Sequence, residues 1–500
     1  MIGLYVLYSM DIFQCINDIE KKFPVCSWRV GDIDVWPIVR LGLFYENIAT
    51  VPIGNSHKSS ILSTLINEIK LLFLCLYTII RDNSHNASEH ESDVVFLGWN
   101  ADRTVKLSTG ELACQNLDMI KVELQKRGYV LYALEYISGF VTKIPRYTCS
   151  DLSIFWKLFK VRCALKFNSQ KEEKKLSQLI EVEEYLKKNG FNSSTCEETY
   201  ISSYAKSLKA YAECFYGVLQ QTQAKMGVVV CWYSNVSMSF ILACRKKGIP
   251  CIDIQHGFAG GNKHEAYYNW INIPQDGYNI MPTNFWSWSD KDAAAINKWY
   301  CSENSNIKRA FVGGNYTQAY LLKYDLGSLW NKKLAEKIEK DRISVLVTLQ
   351  PGFKLPEWFI VFIKTSENIQ WFIRCHPVMD EIQQEFVDKV KNESNVACEI
   401  ASACPLVSVL ELCNLHITSH SSVVIDAESY GVKSVCLSTE CFNYFKENIN
   451  QGTCFYVTNA VELNEIIKRE TACIKNNDAK SSRNDIDMSG IDNLIRLINQ

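Results

Sequence analysis

A surplus of charge of one sign is what this 500-residue sequence most clearly lacks. Its 53 Lys and Arg stand against 55 Asp and Glu, a formal net charge of −2, so no broad basic field argues for nucleic acid. Several catalytic signatures are missing too. There is no HExxH, no GxSxG and no paired Cys/His spacing, which removes the best-marked zinc and serine-hydrolase readings. No CxxC pair occurs among the 20 cysteines. They lie scattered in apolar runs (Cys231, Cys244, Cys251, Cys436) and read as reduced thiols of a cytoplasmic protein. The first residues carry neither a basic n-region nor a small-residue cleavage site and are not read as a signal peptide. Long apolar runs are scarce as well. The one suspect, Ile61–Ile80, is interrupted by Asn67, Glu68 and Lys70, and charge at a bilayer centre costs about 2.5–3.5 kcal/mol. It reads first as an internal amphipathic helix. An interfacial helix, in peripheral contact with the cytoplasmic face of an inner membrane, is the second reading.

What the sequence has is alternation. A hydrophobic content of 47% over this length fills more than one core. Met1–Tyr45 reads as a helical lead-in, with Trp36-Pro37-Ile38-Val39-Arg40 ending one element, and the lead-in unit is set at 1–92. Strand and helix then alternate: strand Val94–Gly98, helix Glu111–Arg127, strand Tyr129–Leu134. A helical insertion over 152–221 follows, including a helix at Lys174–Lys188. Strands resume at Val228–Trp232, Cys251–Ile254 and Asn284–Trp288. A second series begins at Arg309–Val312 and continues through Ser344–Leu349, Trp371–Cys375, Ala397–Ile400, His416–Ser419 and Ser434–Leu437. Such alternation builds parallel sheets from βαβ units. The expected fold is α/β with two doubly wound Rossmann-like domains, 93–303 and 304–475, facing across a cleft. A polar tail over 476–500 carries a closing helix. Ligands of such sheets bind beyond the carboxyl ends of the strands, and every polar motif here falls at such an end.

The richest motif is LHITSHSSVVIDAESYG, Leu415–Gly431. It places Ser419, Ser421 and Ser422 at a helix N-terminus, where free N–H groups and hydroxyls would cradle a phosphate. Asp426 and Glu428 follow, placed for ribose hydroxyls, although ordinary N-caps and a solvated acidic face explain the same residues. His376-Pro377 ends an upstream strand, and Pro377 starts the next helix. The imidazole of His376 there would stabilise charge growing on a leaving phosphate. Gln350-Pro351-Gly352 is set to touch base or sugar, and Gly313-Gly314-Asn315 to let backbone approach a diphosphate. This glycine pair is neither GxGxxG nor a P-loop. In the first half, His256 follows a strand in Gln255-His256-Gly257 and is matched to proton transfer near neutral pH. Asp253 reads as structural, His264 and Glu265 as reserves, and His420 as either assisting or solvent-facing. Asp290, Asp292 and Asp380 read as helix starts rather than metal ligands.

Two Rossmann-like halves carrying QHG, then QPG, HP and SHSS…DAESYG, resemble GT-B glycosyltransferases of bacterial capsule and O-antigen assembly. The HP and Ser-Ser elements look like those of sialyltransferases and Kdo transferases using CMP-sugars. Asp426-Ala427 before Gly431 is similar to the acidic element that holds donor ribose in many such enzymes. A Gly-followed His with HP and Ser-Ser also resembles the CDP-glycerol polymer transferases. The resemblance covers roughly Val228–Arg469. It implies His256 as base and His376 as phosphate contact. The implied partners are a nucleotide-sugar donor and a glycan or lipid-linked acceptor, with no nucleic acid, no cofactor and no metal. A clear acidic-acidic-Gly triplet, the base motif of CMP-sialic acid enzymes, is missing. A nucleotide-sugar epimerase of the same fold, a CDP-polyol phosphotransferase and a non-catalytic scaffold remain as alternatives.

Overall fold

A computed structural model describes residues 11–48, 69–70, 72–73, 91–137, 145–148, 150–165, 173–257, 259, 264, 266–300, 308–323, 328–338, 342–376, 379–476 and 489–500. Pro377, Glu265 and nearly all of Ile61–Ile80 lie outside the described residues. Among those described, no helix is long and apolar enough to cross a membrane.

Two six-stranded, all-parallel sheets organise the chain. The first comprises β1 (Val94–Trp99), β2 (Leu131–Tyr136), β3 (Met226–Val230), β4 (Cys251–Ile254), β5 (Asn284–Ser287) and β6 (Ala310–Val312), in the order β6-β5-β4-β3-β1-β2. The second comprises β7 (Ile343–Thr348), β8 (Ile369–Arg374), β9 (Val396–Ala397), β10 (Leu415–Thr418), β11 (Lys433–Cys436) and β12 (Cys454–Tyr456), in the order β9-β8-β7-β10-β11-β12. Both orders reverse direction once, beside β1 and beside β7. Such reversal points open a crevice at the strand carboxyl ends. The strands read as continuous apolar runs because both faces are covered by helices; β1, β3 and β4 are buried along nearly their whole length. The expectation of two Rossmann-like doubly wound domains is met.

Several boundaries need correction. Ala310–Val312 does not open the second series; it pairs with Phe285–Ser287 as the edge of the first sheet. Trp36 and Pro37 begin the helix Trp36–Ile48 instead of ending an element, as suits proline in a first turn. The lead-in is not a separate unit. Its helices Ile12–Lys22 and Trp36–Ile48 share one core with Val95, Leu97 and Val229 of the first sheet. A buried Glu20–Arg40 pair at 3.0 Å, also holding the Ile271 N–H and Trp36 Nε1–H, ties them to it. Glu111–Arg127 is not one helix. An antiparallel hairpin, Arg103–Lys106 with Leu112–Cys114, turns at Gly110 (φ +90°), and the helix runs only over Asp118–Lys126. Lys174–Lys175 pairs with Arg29–Val30, so that helix starts at Leu179. The strand at Val396–Ala397 is short, and Glu399 already begins a helix. The closing helix Ser489–Ile498 returns to the first domain, where Gly490 packs on Gly313 and the Trp286 indole. The thiols are not all free, since Cys436 and Cys441 form a disulfide.

Candidate functional site

The crevice is bounded by loops from both sheets. On the first-domain side, β3 is followed by Cys231, whose φ of +57° is left-handed. Such a conformation is costly for a residue with a Cβ. The buried carboxyl of Asp253 secures the turn: it accepts from the Trp232 N–H at 3.1 Å and from the Tyr267 hydroxyl at 2.6 Å. Burial pushes its pKa up to about 8. Asp253 is structural, as its strand position implied. Beyond the turn, Tyr233 Oη lies 3.2 Å from Nε2 of His256 and 3.5 Å from Nε2 of His264. Burial, reinforced by His264, pushes the His256 pKa down to about 4, so the ring is neutral. Gln255 is spent inside the loop, on the Gly257 carbonyl, Asp292 and the Trp288 N–H. Nothing in the sequence pattern marked Tyr233; a tyrosine just past a buried strand end was the available signal.

On the second-domain side, the loops after β7 and β10 meet at the reversal point. Gln350 Nε2 donates to Ser421 Oγ at 3.2 Å. Phe353 stacks on His420 (centroids 4.4 Å, 21°), which also meets Tyr444 edge-on. His420 is thus packed rather than solvent-facing, and burial pushes its pKa down to about 4. Gly352, at φ +78°, turns its N–H onto Asp380, the N-cap of the helix Glu381–Val390. That helix fixes the neighbouring loop through Gln383, whose side-chain oxygen accepts the His376 N–H at 2.8 Å.

The serine turn differs from expectation in one respect. The N–H groups of Val423 and Val424 bend back to Ser421 Oγ and O, each at 3.3 Å, so they are not free donors. What remains is hydroxyl chemistry. Ser419 Oγ is buried with no partner among the described residues, and Ser422 makes no capping bond. Ser422 also marks where the two domains meet: a Cβ built on Gly257 would stand 3.9 Å from its Cβ and Oγ.

Other expected donor contacts are engaged elsewhere. Asp426 is buried, with Oδ1 accepting from Asn315 Nδ2 at 2.9 Å and Gln318 Nε2 at 2.7 Å. Asp426 and Asn315 therefore bind each other across the junction between the sheets, and burial raises the Asp426 pKa to about 6. Glu428, half-buried, accepts from Asn448 Nδ2 at 2.7 Å and keeps its other oxygen. Gly313 has no room for a ligand: an added Cβ would fall 2.0 Å from the Trp286 indole. Gly314 turns at φ +69° and gives its carbonyl to Trp286 Nε1. This glycine pair passes the chain from one domain to the other. Pro351 follows Gln350 in the β7 loop, half-buried.

Sequence reading passed over Arg374, the last residue of β8 and two before His376. Its Nη1 donates to the Ala401 and Cys404 carbonyls, both at 2.7 Å. No carboxylate forms an ion pair with it among the described residues, and burial lowers its pKa, an effect that nearby Asp426 opposes.

No family model matches the chain, and no curated protein matches it. Among solved structures it is similar to UDP-GlcNAc 2-epimerase from Neisseria meningitidis bound to UDP-GlcNAc, at 11% identity and TM-score 0.46, covering 81% of this chain and 99% of that one. UDP-GlcNAc 2-epimerase from Methanocaldococcus jannaschii gives 11% and 0.47 with the same coverage. The wall teichoic acid polymerase TagF gives 10% and 0.46, covering 87% and 97%. Similarities of this size speak to neither substrate nor reaction; the fold rests on the strand orders above.

Proposed function

We propose that the chain is a GT-B-like glycosyltransferase. It would move a sugar from a nucleotide-activated donor, a CMP-sugar by preference, to a glycan or lipid-linked intermediate of surface polysaccharide. The observation that carries this reading is the meeting of Gly257 and Ser422, which sets the His256 loop against the serine loop at the carboxyl ends of both sheets. His256 takes the proton of the acceptor hydroxyl. His376, Ser419, Ser422 and the unpaired guanidinium edge of Arg374 receive the donor phosphate, and Gln350 sets Ser421. Between the two carboxylates, Glu428 faces the ribose, because Asp426 is committed within the protein. Phosphate charge is met by these groups, and no step is assigned to a metal. An anion held in a water-poor crevice by fixed donors is stabilised most as leaving-group charge grows.

The bridge of Tyr233 between two histidines favours a second reading, a nucleotide-sugar epimerase, which must remove and return a proton at one sugar. The test is a thermal-shift and calorimetric screen against CMP, CDP, UDP, GDP and their sugars, followed by turnover with and without acceptor. A ligand held only by the folded state raises apparent stability by RT ln(1 + [L]/Kd). Sugar transfer that requires acceptor supports the transferase. Interconversion of sugars without acceptor replaces it with the epimerase.

A further inference from the structure

The contacts described between His264, Tyr233 and His256 share one hydrogen-bond polarity. The Ala266 N–H donates to Nδ1 of His264 at 3.2 Å, so that nitrogen carries a lone pair. A neutral imidazole with Nδ1 accepting must hold its proton on Nε2, and this Nε2 lies 3.5 Å from Tyr233 Oη. The phenolic oxygen thus receives a proton from one side. Its own proton continues the chain to Nε2 of His256 at 3.2 Å, the direction in which successive bonds polarise one another favourably. His256 must then carry its proton on Nδ1. That nitrogen is buried and has no hydrogen-bond partner among the described residues. It sits in the residue next to Gly257, where an added Cβ would stand 3.9 Å from Ser422.

We propose that Tyr233 is a positioning residue that fixes His256 as its Nδ1–H tautomer, so that Nδ1–H meets a substrate oxygen and His256 gains a proton only through the Tyr233 hydroxyl. The inference rests on His256 being the group that takes the acceptor's proton, and it adds the route. The acceptor O–H bond breaks and its proton passes to Tyr233 Oη, while the proton already on Tyr233 moves to Nε2 of His256. The acceptor oxygen's electron pair forms the new bond to the donor sugar, and the leaving nucleotide phosphate keeps the pair of the broken bond. The imidazolium returns its proton by the same path once products leave. The neutral ring suits this sequence: burial disfavours a standing cation at His256, whereas a substrate oxygen accepting from Nδ1–H favours a transient one.

The experiment is long-range 1H–15N NMR on the full chain with 15N-labelled histidine at neutral pH, with the His256 signals identified by their loss in His256→Gln. The expected result is a protonated Nδ1 and an unprotonated Nε2 at His256, the tautomer that a free histidine side chain disfavours. Tyr233→Phe removes only the hydroxyl and should return His256 to the Nε2–H form, while His264 stays Nε2–H. A wild-type His256 protonated at Nε2 overturns the proposal, as does a Tyr233→Phe spectrum with the His256 tautomer unchanged. Should Tyr233→Phe not fold, the wild-type tautomer decides alone. Full turnover in His256→Ala would instead remove the base while leaving the tautomer result standing, so the two readings fail separately.

Discussion

Arg103 and Arg374 both enter the interior near the carboxyl end of a parallel strand, and their surroundings differ in kind. Arg103 is surrounded by partners: Asp118 at 2.9 Å, Glu135 at 2.6 Å, the Ser150 hydroxyl and the Leu112 and Thr148 carbonyls. Arg374 donates to two carbonyls and has no carboxylate ion pair among the described residues. The first charge is settled by the fold: its removal would take the nearest cation from Glu135 and leave Asp118 to Lys121. The second is settled only in part, which leaves it the capacity that the proposed phosphate role requires. The same division runs through the crevice. The first-domain wall links His264, Tyr233 and His256 and ends on the Nδ1 of His256, which has no partner among the described residues. The second-domain wall offers hydroxyls and a guanidinium edge with capacity left.

Breaking the settled pair should have the largest effect on the fold. Arg103→Met removes the closest counter-charge of buried Glu135 and one of the two cations on Asp118, and should cost about 3–5 kcal/mol of stability, read from urea denaturation. Arg374→Gln should cost less in the same measurement, yet weaken nucleotide binding in calorimetry. Equal stability losses with nucleotide affinity untouched in Arg374→Gln would erase the distinction between the two arginines.

The serines sharpen the comparison on a smaller scale. Ser422→Ala should weaken donor-nucleotide binding by about 1–3 kcal/mol, the range for a lost hydrogen bond to a charged group, with little change in melting temperature. Ser421→Ala should lower the melting temperature as well, because Ser421 Oγ holds Gln350 and the Val423 N–H. Calorimetric titration of each variant, beside its melting curve, separates the two roles.

The smallest effect per step is on the pH scale. His256 and His420 are pushed down to about 4 and His416 to about 3, in each case chiefly by burial. A base whose folded pKa lies below its unfolded value near 6.5 binds more protons when unfolded. Stability is therefore full above about pH 6.5 and falls on acidification toward pH 4, by up to about 1.4 kcal/mol per pH unit for each histidine. His416, bonded to the Thr348 and Ser434 hydroxyls at 2.8 and 2.9 Å, is the cleanest probe. His416→Asn should flatten the dependence of the urea midpoint on pH between 6.5 and 4; an unchanged slope would show that its burial is not what the midpoint senses.

The two parallel sheets were legible because buried strands such as Val94–Trp99 and Ile343–Thr348 are largely apolar, β-branched-rich runs bounded by helical periodicity. The hairpin at Arg103–Cys114 was not, since strands of four and three residues are too short for a period. Membership of β6 was equally hidden: Ala310–Val312 looks the same to a sequence whichever sheet receives it, and only packing of Trp286 on Gly313 and Gly490 decides. At the site, Gln350 and Ser421 were foreseen at strand ends and do meet. Gly313 and Asp426 looked like ligand contacts because a glycine that admits a ligand and one that admits an indole read identically. Tyr233 and Arg374 carry no motif of their own; three-dimensional neighbours give them their place.

The central claim is that the first-domain wall moves a proton while the second-domain wall holds the donor. Donor affinity and turnover for His256→Ala and His376→Ala, side by side, test it most directly. His256→Ala should lower turnover by about 10²–10⁴, the usual worth of a positioned acid or base, with donor affinity nearly intact. His376→Ala should weaken donor binding and slow turnover together, because it meets phosphate charge in ground and transition states alike. Loss of donor binding in His256→Ala with binding kept in His376→Ala would contradict the account, and so would full turnover in both.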